Sequence, residues 1–480
     1  MLPQGRERSQ AGRGPGRQGC AEGHALNTAA APLPQDSALG WLAPRASQPV
    51  TGRIRVPASK SLTNRYLLLA AMASGPSVVV NPLDSRDSQL MLSALTALGA
   101  QVEHIADWRT SGEPAVRITP ISSAEAGREP AGVDCGLAGT VMRFVPALAA
   151  LSGREVRFDG DPEARVRPMG AVLEGLRALD VAIADDAEPG FLPFTVEGTG
   201  TVAGGQITID ASGSSQFVSG LLLAAPGFRQ GLTLSHRGAQ VPSLEHVEMT
   251  LNVLEQVGVS VSSPQPHTWR VEPGPIAAFT VRVEPDLSNA GPFLCAAAAT
   301  GGEVTMTGWP AESTQIGRRW PKLLEDFGCT VTLTDEPPAS DGSAPTATLT
   351  VAGPEQLVSP GVVEATAELT PTVAALAALC PQETTFTAVA HLRGHETDRI
   401  AALVAEIRRL GGAAQETEDG FTVLRPIAHG GEVLSYADHR MATFGAVLGL
   451  TVDGVRVEDI SCTAKTMPDF PDRWETLVNR

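Results

Sequence analysis

The sequence has little lysine and no excess of positive charge. Of its 36 basic residues, only Lys60, Lys322 and Lys465 are lysine, and the others are arginine. The formal net charge of −17 at pH 7 argues against nonspecific binding to nucleic acid, which requires a basic face. An anionic ligand would therefore have to be bound by a local cluster of cations within an acidic protein.

Cysteines are few, and no segment is apolar enough to cross a membrane. The six cysteines form no C-x-x-C pair and no metal-ligand spacing, so reduced thiols in a cytoplasm are the expected state and no metal is predicted. No apolar run approaches the roughly 20 residues that span a bilayer, and the N-terminal segment lacks the apolar core of a secretory signal. These absences favour a cytoplasmic protein without membrane or nucleic-acid partners.

The N-terminal segment differs in composition from the remainder of the chain. Residues 1–47 are rich in Gly, Arg, Gln, Ala and Pro and show no periodicity, which predicts a disordered tail. The arginines leave an organellar transit peptide open, although Glu7 and Glu22 weaken that interpretation. Across the chain, Ala, Gly and Arg exceed Lys, Asn and Tyr, which is more typical of a GC-rich bacterial gene.

A repeated pattern dominates the rest of the 480 residues, which are long enough for two domains. An apolar, Ala/Leu-rich helix followed by a short strand is predicted six times, at 67–80, 146–158, 221–234, 294–308, 373–387 and 446–459. Between these copies, an amphipathic helix that stops at Gly, or once at Asp180, precedes another strand at 92–103, 172–183, 251–261, 323–331 and 403–415. Chance similarity among Ala-rich helices is the alternative. The regularity favours two domains of three units each over a doubly wound sheet, with loops or a crossing point at the Pro/Gly-rich stretches 263–275 and 335–345.

Residues 55–65, RVPASKSLTNR, place two cations and several hydroxyls where a short strand meets an apolar helix. Such a junction offers unpaired backbone N–H groups to a phosphate or carboxylate. Lysine is rare in this chain, so its retention at Lys60 favours a site that needs a compact charge or a tunable proton. The alternative is a solvated helix start capped by serine. A P-loop is excluded because its two glycines would fall on Ile54 and Ser59.

Further helix starts within the repeat carry residues suited to anions. They lie in DCGLAGTVMR (134–143), DPEARVRPMG (161–170), DASGSSQF (210–217), RGHETDRI (393–400), ADHRMA (437–442) and CTAKTMPDF (462–470). Capping or surface charge would explain any one of them equally well. Because they occupy equivalent places in a repeat, we expect the fold to bring these helix starts together at one opening, where they would form a joint anion-binding site.

Taken together, the motifs KSLTNR, AGTVMR, RPMG, SSQF, HETDR, DHRMA and CTAKTMPDF resemble those of the 5-enolpyruvylshikimate-3-phosphate (EPSP) synthase family, in the family's order, over residues 50–478. The resemblance implies an α/β fold (α+β in some schemes) of two similar domains. Each would contain three β-α-β-α-β-β units, as in the inside-out α/β barrel of the enolpyruvyl transferases. With two chain crossings, one domain would comprise 48–58 plus 285–480 and the other 59–284. The active site would lie in the cleft that closes between them.

The resemblance also implies a reaction. The enolpyruvyl group of phosphoenolpyruvate would pass to the 5-hydroxyl of shikimate 3-phosphate through a tetrahedral intermediate, with release of phosphate, in the shikimate pathway of aromatic amino-acid synthesis. No metal or organic cofactor is implied, and we expect a cytoplasmic monomer. One carboxylate cannot conveniently serve both faces, so Glu368 is expected to act as the base at the hydroxyl and Glu396 as the acid at the methylene, with separated pKa values.

The remaining roles come from the same resemblance. Catalysis is assigned to Glu368, Glu396, Lys60 and His439. The residues assigned to binding shikimate 3-phosphate are Lys60, Ser61, Arg65, Ser214, Ser215, Gln216, Ser243, Glu368, His391 and His395. Phosphoenolpyruvate is assigned to Lys60, Gly139, Arg167, Gln216, Arg399, Arg440 and Lys465, where arginine forks suit bidentate contact with phosphate and carboxylate.

Five positions depart from the commonest family pattern. Glu368 stands for a usual Asp, His391 for Asn, His395 for Lys, Leu137 for Asn and Phe144 for Pro. The changes at Leu137 and His395 remove polar contacts to the donor, whereas the retained Gly139 implies sensitivity to the inhibitor glyphosate.

Three alternatives were weighed against this assignment. A UDP-N-acetylglucosamine enolpyruvyl transferase would need a Gly-Gly-Cys loop before its Arg-Pro pair, and DPEARVRP has no cysteine. A non-catalytic anion-binding paralogue is disfavoured by the presence of both carboxylates and both site lysines. A nucleotide-end cyclase with a similar unit is disfavoured by the acidic charge and the lack of a nucleotide loop.

Overall fold

The structure is a computed structural model that describes residues 40–121, 129–337, 344–394 and 397–479. Helices and strands alternate along these residues. The α-helices are α1 Lys60–Met72, α2 Arg86–Ala97, α3 Gly139–Ala149, α4 Gly170–Arg177, α5 Ser215–Ala224, α6 Glu245–Gln256, α7 Leu287–Thr300, α8 Trp320–Asp326, α9 Thr370–Leu379, α10 Arg399–Arg409, α11 His439–Gly449 and α12 Phe470–Val478. Short 3-10 helices near the site described below are Ile316–Arg319, Ala367–Leu369, Ala390–Gly394 and Ser461–Lys465.

The strands are short and lie between the helices. They are β1 Trp41–Leu42, β2 Thr51–Ile54, β3 Ser77–Val80, β4 Gln101–Ile105, β5 Ala115–Thr119, β6 Ala131–Asp134, β7 Glu155–Asp159, β8 Ile183–Asp185, β9 Phe194–Glu197, β10 Gly205–Ile209, β11 Leu232–His236, β12 Val261–Gln265, β13 Thr268–Val271, β14 Thr280–Arg282, β15 Glu303–Pro310, β16 Thr330–Asp335, β17 Thr346–Ala352, β18 Val362–Glu364, β19 Thr384–Thr387, β20 Ala413–Glu416, β21 Phe421–Arg425, β22 Glu432–Val433 and β23 Arg456–Val457.

One supersecondary unit recurs through the chain. In β6-α3-β7-α4-β8-β9, the strands form a sheet of order β6-β7-β9-β8, with β6 parallel to β7 and the other pairs antiparallel. The segments β10 to β13 and β18 to β21 form sheets of the same order and pairing. The paired helix-strand pattern of the sequence is therefore the pattern of a β-α-β-α-β-β unit.

Two further units are completed by strands from distant parts of the chain. Strand β2 pairs in parallel with β15, and strand β14 pairs in parallel with β3. The chain consequently crosses twice, and the two crossings lie side by side: the Ser59 amide donates to the Glu284 carbonyl (2.8 Å) and the Asp286 amide donates to the Pro57 carbonyl (2.8 Å). A sixth, smaller sheet has the order β1-β23-β22. Its strands β22 and β23 lie before and after α11 in the sequence.

Buried apolar side chains form two separate large cores. We call the part of the chain around the first core, residues 58–283, the middle lobe. The part around the second core, residues 43–56 and 287–478, is the flanking lobe. The first helix of each unit is apolar on nearly every side, as expected for a helix enclosed by its neighbours: residues 62–71 of α1 and 140–149 of α3 are all buried. We propose that the two lobes correspond to the expected domains 59–284 and 48–58 plus 285–480.

Two expectations about local structure were wrong. The predicted tail was drawn to residue 47, but Trp41 and Leu42 pair with β23 and Ala43 is buried in the flanking lobe, because this segment covers apolar surface beside α11. Residues 1–39 lie outside the described residues. The stretch 263–275, expected to be a loop, contains most of the β12-β13 hairpin, whose two-residue turn has His267 at φ 56°.

The architecture is mixed α/β, built from open sheets of three or four strands. Within the described ranges no sheet closes into a ring, so the expected barrel is an arrangement of separate sheets and not of one continuous strand array. Among the helices that the structure describes, none combines the length and apolarity needed to cross a bilayer.

Candidate active site

The first helices of all six units point their N-terminal ends at one cavity of about 150 Å³ between the two lobes. The residues that line it from these helix starts are Lys60 and Ser61 of α1, Gly139 and Thr140 of α3, Gln216 of α5, Ser288 of α7, Glu368 just before α9, and His439 and Arg440 of α11. Helix N-termini carry partial positive charge and unpaired N–H groups. Their convergence makes the cavity an anion site even before side-chain charge is considered.

Capping explains why these helices begin where they do. Asp286 accepts a hydrogen bond from the Asn289 amide of α7 (3.0 Å), and Asp438 accepts one from the Arg440 amide of α11 (2.8 Å). Helix α3 has no such side-chain cap and begins directly at Gly139. The first amides of α3 are therefore free of a capping side chain at the cavity wall.

Five cationic side chains line the cavity and come from both lobes. Lys60 and Arg167 belong to the middle lobe, and Arg399, Arg440 and Lys465 belong to the flanking lobe. All five were predicted, and their meeting in one place is the arrangement expected for a ligand with two anionic groups.

Two of these cations are held by buried carboxylates. Lys60 Nζ lies 3.1 Å from Asp87 Oδ2 of α2, and Asp87 is 6% exposed. Arg399 Nε and Nη2 donate to the two oxygens of Asp438 (2.7 and 3.2 Å), and both partners are almost fully buried. These pairs fix the cations in the wall of the cavity, since a buried charge that lost its partner would be strongly unfavourable.

Glu368 is the predicted base, and it lies at the lobe boundary. Its Oε1 accepts a hydrogen bond from Ser288 Oγ (3.2 Å), and its Oε2 is 3.6 Å from His246 Nε2. Burial alone would raise the pKa of Glu368, but His246 and Arg440 together hold it well below its ordinary value. The carboxylate therefore stays ionised, as a proton acceptor must be.

The backbone around Glu368 is unusual. Ala365 and Ala367 both have positive φ values (52° and 40°), a region that non-glycine residues rarely occupy. Such strain at two of three consecutive positions, directly before a residue that lines the cavity, is typical of functional sites.

Asp286 supplies a further carboxyl group to the cavity, besides those of Glu368 and Asp87. It is 8% exposed, and burial raises its pKa, with Arg440 and the Asn289 amide opposing the shift only in part. The pKa values of Glu368 and Asp286 thus move in opposite directions within one site.

Several predicted residues do not line the cavity. Arg65 was expected to contact the substrate, but it is 1% exposed and donates to Thr250 Oγ1 (2.8 Å), the His246 carbonyl (2.9 Å) and the Ser61 carbonyl (2.9 Å). The reason is helical geometry: Arg65 lies one turn beyond Ser61, so its side chain reaches beneath α6 and not into the cavity.

Ser214, Ser215, Ser243 and His391 also fall outside the cavity lining, each for a local reason. Ser214 is the N-cap of α5 and accepts from the Gln216 amide (3.2 Å), Ser215 is buried, and Ser243 occupies a turn at φ 50° before α6. His391 lies in the 3-10 helix Ala390–Gly394, where burial lowers its pKa. The predicted residues His395 and Glu396 lie outside the described residues.

The cavity is also lined by residues that were assigned no role from the sequence, although Ser59, Thr140 and Thr466 lie within the motifs named there. They are Ser59, Asp87, Thr140, His246, Met249, Asp286, Ser288, Gln315, Ile316 and Thr466. Most stand at the caps or first turns of helices, the same positions that identified the other residues. A search of every helix start in the repeat, including the amphipathic helices, would have found Asp87 and His246.

Two comparisons of sequence bear on this site. A family model described as EPSP synthase (3-phosphoshikimate 1-carboxyvinyltransferase) matches residues 44–474. A protein from Kocuria rhizophila named 3-phosphoshikimate 1-carboxyvinyltransferase is 54% identical over 442 residues, which cover 91% of this chain and 96% of that protein.

Solved structures share the fold. An EPSP synthase from Acinetobacter baumannii matches with a TM-score of 0.72 at 23% identity, over 92% of this chain and 97% of that one. The enolpyruvyl transferase NikO from Streptomyces tendae matches with a TM-score of 0.64 at 18% identity, over 90% and 96%. These similarities confirm the predicted fold class.

Proposed function

The chain belongs to the EPSP synthase family, and from that premise we propose that it transfers the enolpyruvyl group of phosphoenolpyruvate to the 5-hydroxyl of shikimate 3-phosphate. The products are phosphate and 5-enolpyruvylshikimate 3-phosphate, a step of the shikimate pathway toward chorismate and the aromatic amino acids. The observation that carries the proposal is the cavity itself, in which five cations from two lobes surround an ionised carboxylate.

The donor half of the site is assigned by charge. Phosphoenolpyruvate carries a phosphate and a carboxylate, which match the cations Lys60, Arg167, Arg399, Arg440 and Lys465. Arginine forks bind such groups in bidentate fashion. Gly139 and Gln216 complete this half, because the uncapped start of α3 offers backbone N–H groups to the phosphate.

The acceptor half surrounds the reacting hydroxyl. Lys60, Ser61, Gln216 and Glu368 line the cavity and are assigned to shikimate 3-phosphate. We assign Ser214, Ser215 and Ser243 to the same substrate at the margin of the site, and Arg65 to holding the first turn of α6. Direct contact by His391 and His395 stays a prediction.

The addition step requires two proton transfers in opposite directions. As the 5-hydroxyl oxygen bonds to carbon 2 of the donor, its proton passes to Glu368, and carbon 3 takes a proton from a general acid to give the tetrahedral intermediate. In the elimination step, carbon 3 returns a proton to the group that acted as the acid, the double bond re-forms, and the carbon-oxygen bond to phosphate breaks. Lys60 and His439 stabilise the charge on the reacting oxygens. Glu396 as the acid at carbon 3 stays a prediction.

Phosphate release from phosphoenolpyruvate tests the function directly. We expect release with shikimate 3-phosphate as acceptor and none with UDP-N-acetylglucosamine. Release only with the sugar nucleotide would overturn the substrate and keep the fold. Release with neither would favour a non-catalytic anion-binding protein.

We further propose a cytoplasmic monomer. The described cysteines Cys135, Cys295, Cys329, Cys380 and Cys462 are all free thiols, which suits a reducing compartment. Light scattering of the purified chain should give a mass close to 49.9 kDa, and a mass of twice that value would contradict the monomer.

A further inference from the structure

The contact between His246 and Glu368 joins the two lobes inside the cavity. His246 belongs to the first turn of α6 in the middle lobe, and Glu368 belongs to the 3-10 helix Ala367–Leu369 in the flanking lobe. Their Nε2 and Oε2 atoms are 3.6 Å apart, and their side chains are 25% and 18% exposed. The pair is therefore shielded from bulk solvent and screened less than a surface ion pair.

The main chain of His246 is firmly anchored. Its carbonyl accepts hydrogen bonds from Arg65 Nη2 (2.9 Å), Thr250 Oγ1 (2.9 Å) and Ser219 Oγ (3.3 Å). Three donors from α1, α5 and α6 thus fix the point from which the imidazole extends. A ring held in this way can orient a partner and does not merely follow it.

The two carboxylate oxygens of Glu368 contact different lobes. Oε1 accepts from Ser288 of its own lobe, whereas Oε2 lies opposite His246 of the other lobe. Other charged groups also act on this pair. Arg440, Asp286 and His391 influence Glu368 from the flanking lobe. His246 has Glu245 beside it on α6 and Arg65 on its carbonyl, with Lys60 across the cavity.

We propose that His246 is a positioning residue for Glu368, whose carboxylate it orients across the lobe boundary for removal of the 5-hydroxyl proton. The inference rests on the proposed function. In the addition step the O–H bond breaks and its proton moves to Glu368 while the oxygen-carbon bond forms. His246 itself neither gains nor loses a proton in this step. When the lobes separate, Oε2 loses its partner, so the base is complete only in the closed enzyme.

The test compares His246→Gln and His246→Phe with the wild-type chain. Glutamine retains an N–H donor near the carboxylate but no charge, and phenylalanine retains neither. We expect kcat to fall about tenfold in H246Q and further in H246F, while KM for both substrates changes less than about threefold. The acid limb of the kcat profile should move to higher pH in H246Q, because the carboxylate loses the contact with His246 that helps to hold the pKa of Glu368 down against burial.

A double-mutant cycle separates positioning from structure. Because His246 acts through Glu368, the losses in kcat of H246Q and E368Q should not add in the double variant. His104→Gln is the matched control, since His104 lies exposed on β4 of the same lobe. It should leave kcat and the pH profile unchanged. Circular dichroism checks whether each variant is folded. If H246F does not fold, H246Q alone provides the test.

Failure of the proposed function can be distinguished from failure of the proposed role of His246. A wild-type chain that turns over no shikimate 3-phosphate would overturn the proposed function itself. An active wild type whose pH profile is superimposable on that of H246Q, with additive losses in the double variant, would overturn only the role of His246.

Discussion

Replacing Asp438 by asparagine should destabilise the flanking lobe far more than any comparable surface change. Asp438 is fully buried and accepts two hydrogen bonds from Arg399 and one from the Arg440 amide at the start of α11. Asparagine keeps the shape and retains an oxygen for the α11 cap. However, it removes the carboxylate charge that pairs with the buried guanidinium of Arg399.

The structure sets the size of this effect. Removing one partner of a buried ion pair costs about 3–5 kcal/mol, because the other charge stays desolvated. D438A should cost about 1 kcal/mol more than D438N, since alanine also abolishes the cap of α11. We also expect a higher KM for phosphoenolpyruvate in D438N, because Arg399 loses the group that orients it in the cavity wall.

Urea unfolding followed by tryptophan fluorescence measures the loss. Trp320 and Trp474 are fully buried in the flanking lobe and report on its unfolding. D326N is the control, because Asp326 pairs with Lys322 on the exposed surface of α8 and its loss should be undetectable. If D438N unfolds within about 1 kcal/mol of the wild type, well below the range for a broken buried pair, the argument from burial is refuted.

Three further substitutions test the cavity. In K60R we expect a loss of most turnover, because the larger fork cannot take the place of a compact ammonium held 3.1 Å from Asp87. Near-normal kcat in K60R would contradict this. In E368Q, kcat should fall by a factor of order 10² as the general base is lost, and an unchanged rate would place the base elsewhere. In G139A, the added methyl group would lie 2.9 Å from Arg143 Nη1 and 3.0 Å from Gln216 Oε1, so KM for phosphoenolpyruvate should rise more than kcat falls. A selective loss of kcat would show that the methyl group disturbs the chemical step instead.

The repeated unit could be predicted because it depends on local patterns. An apolar helix, a turn and a short strand each follow from neighbouring residues. Five of the six copies agree with the observed β-α-β-α-β-β units, and the sixth belongs to the smaller sheet β1-β23-β22. The β12-β13 hairpin differs from the predicted loop because Pro264 and Pro266 resemble loop residues, whereas pairing with β13, which itself pairs with β11, keeps the edge strand β12 extended. Trp41 and Leu42 were assigned to the tail because two residues are too few to show periodicity.

The cationic part of the site was predictable for a similar reason. Lys60, Arg399 and Arg440 stand at helix starts, where anion binding is expected from sequence, and Arg167 and Lys465 lie in the segments that precede α4 and α12. All five line the cavity. Arg65 lies outside the cavity lining, which its motif did not indicate, because a sequence motif does not distinguish a side chain at the helix tip from one a turn deeper.

Local sequence thus determines which residues of this chain begin helices and which of those residues can bind anions. The meeting of those helix ends depends on contacts between distant segments: β2 with β15, β14 with β3, and the approach of the two lobes. Only that tertiary arrangement places His246 3.6 Å from Glu368, with 122 positions of numbering between them. Neither residue has a neighbour in sequence that predicts the pair. The lowered pKa of the Glu368 carboxylate is therefore a property of the folded chain, because electrostatic interactions act through space and not along the sequence.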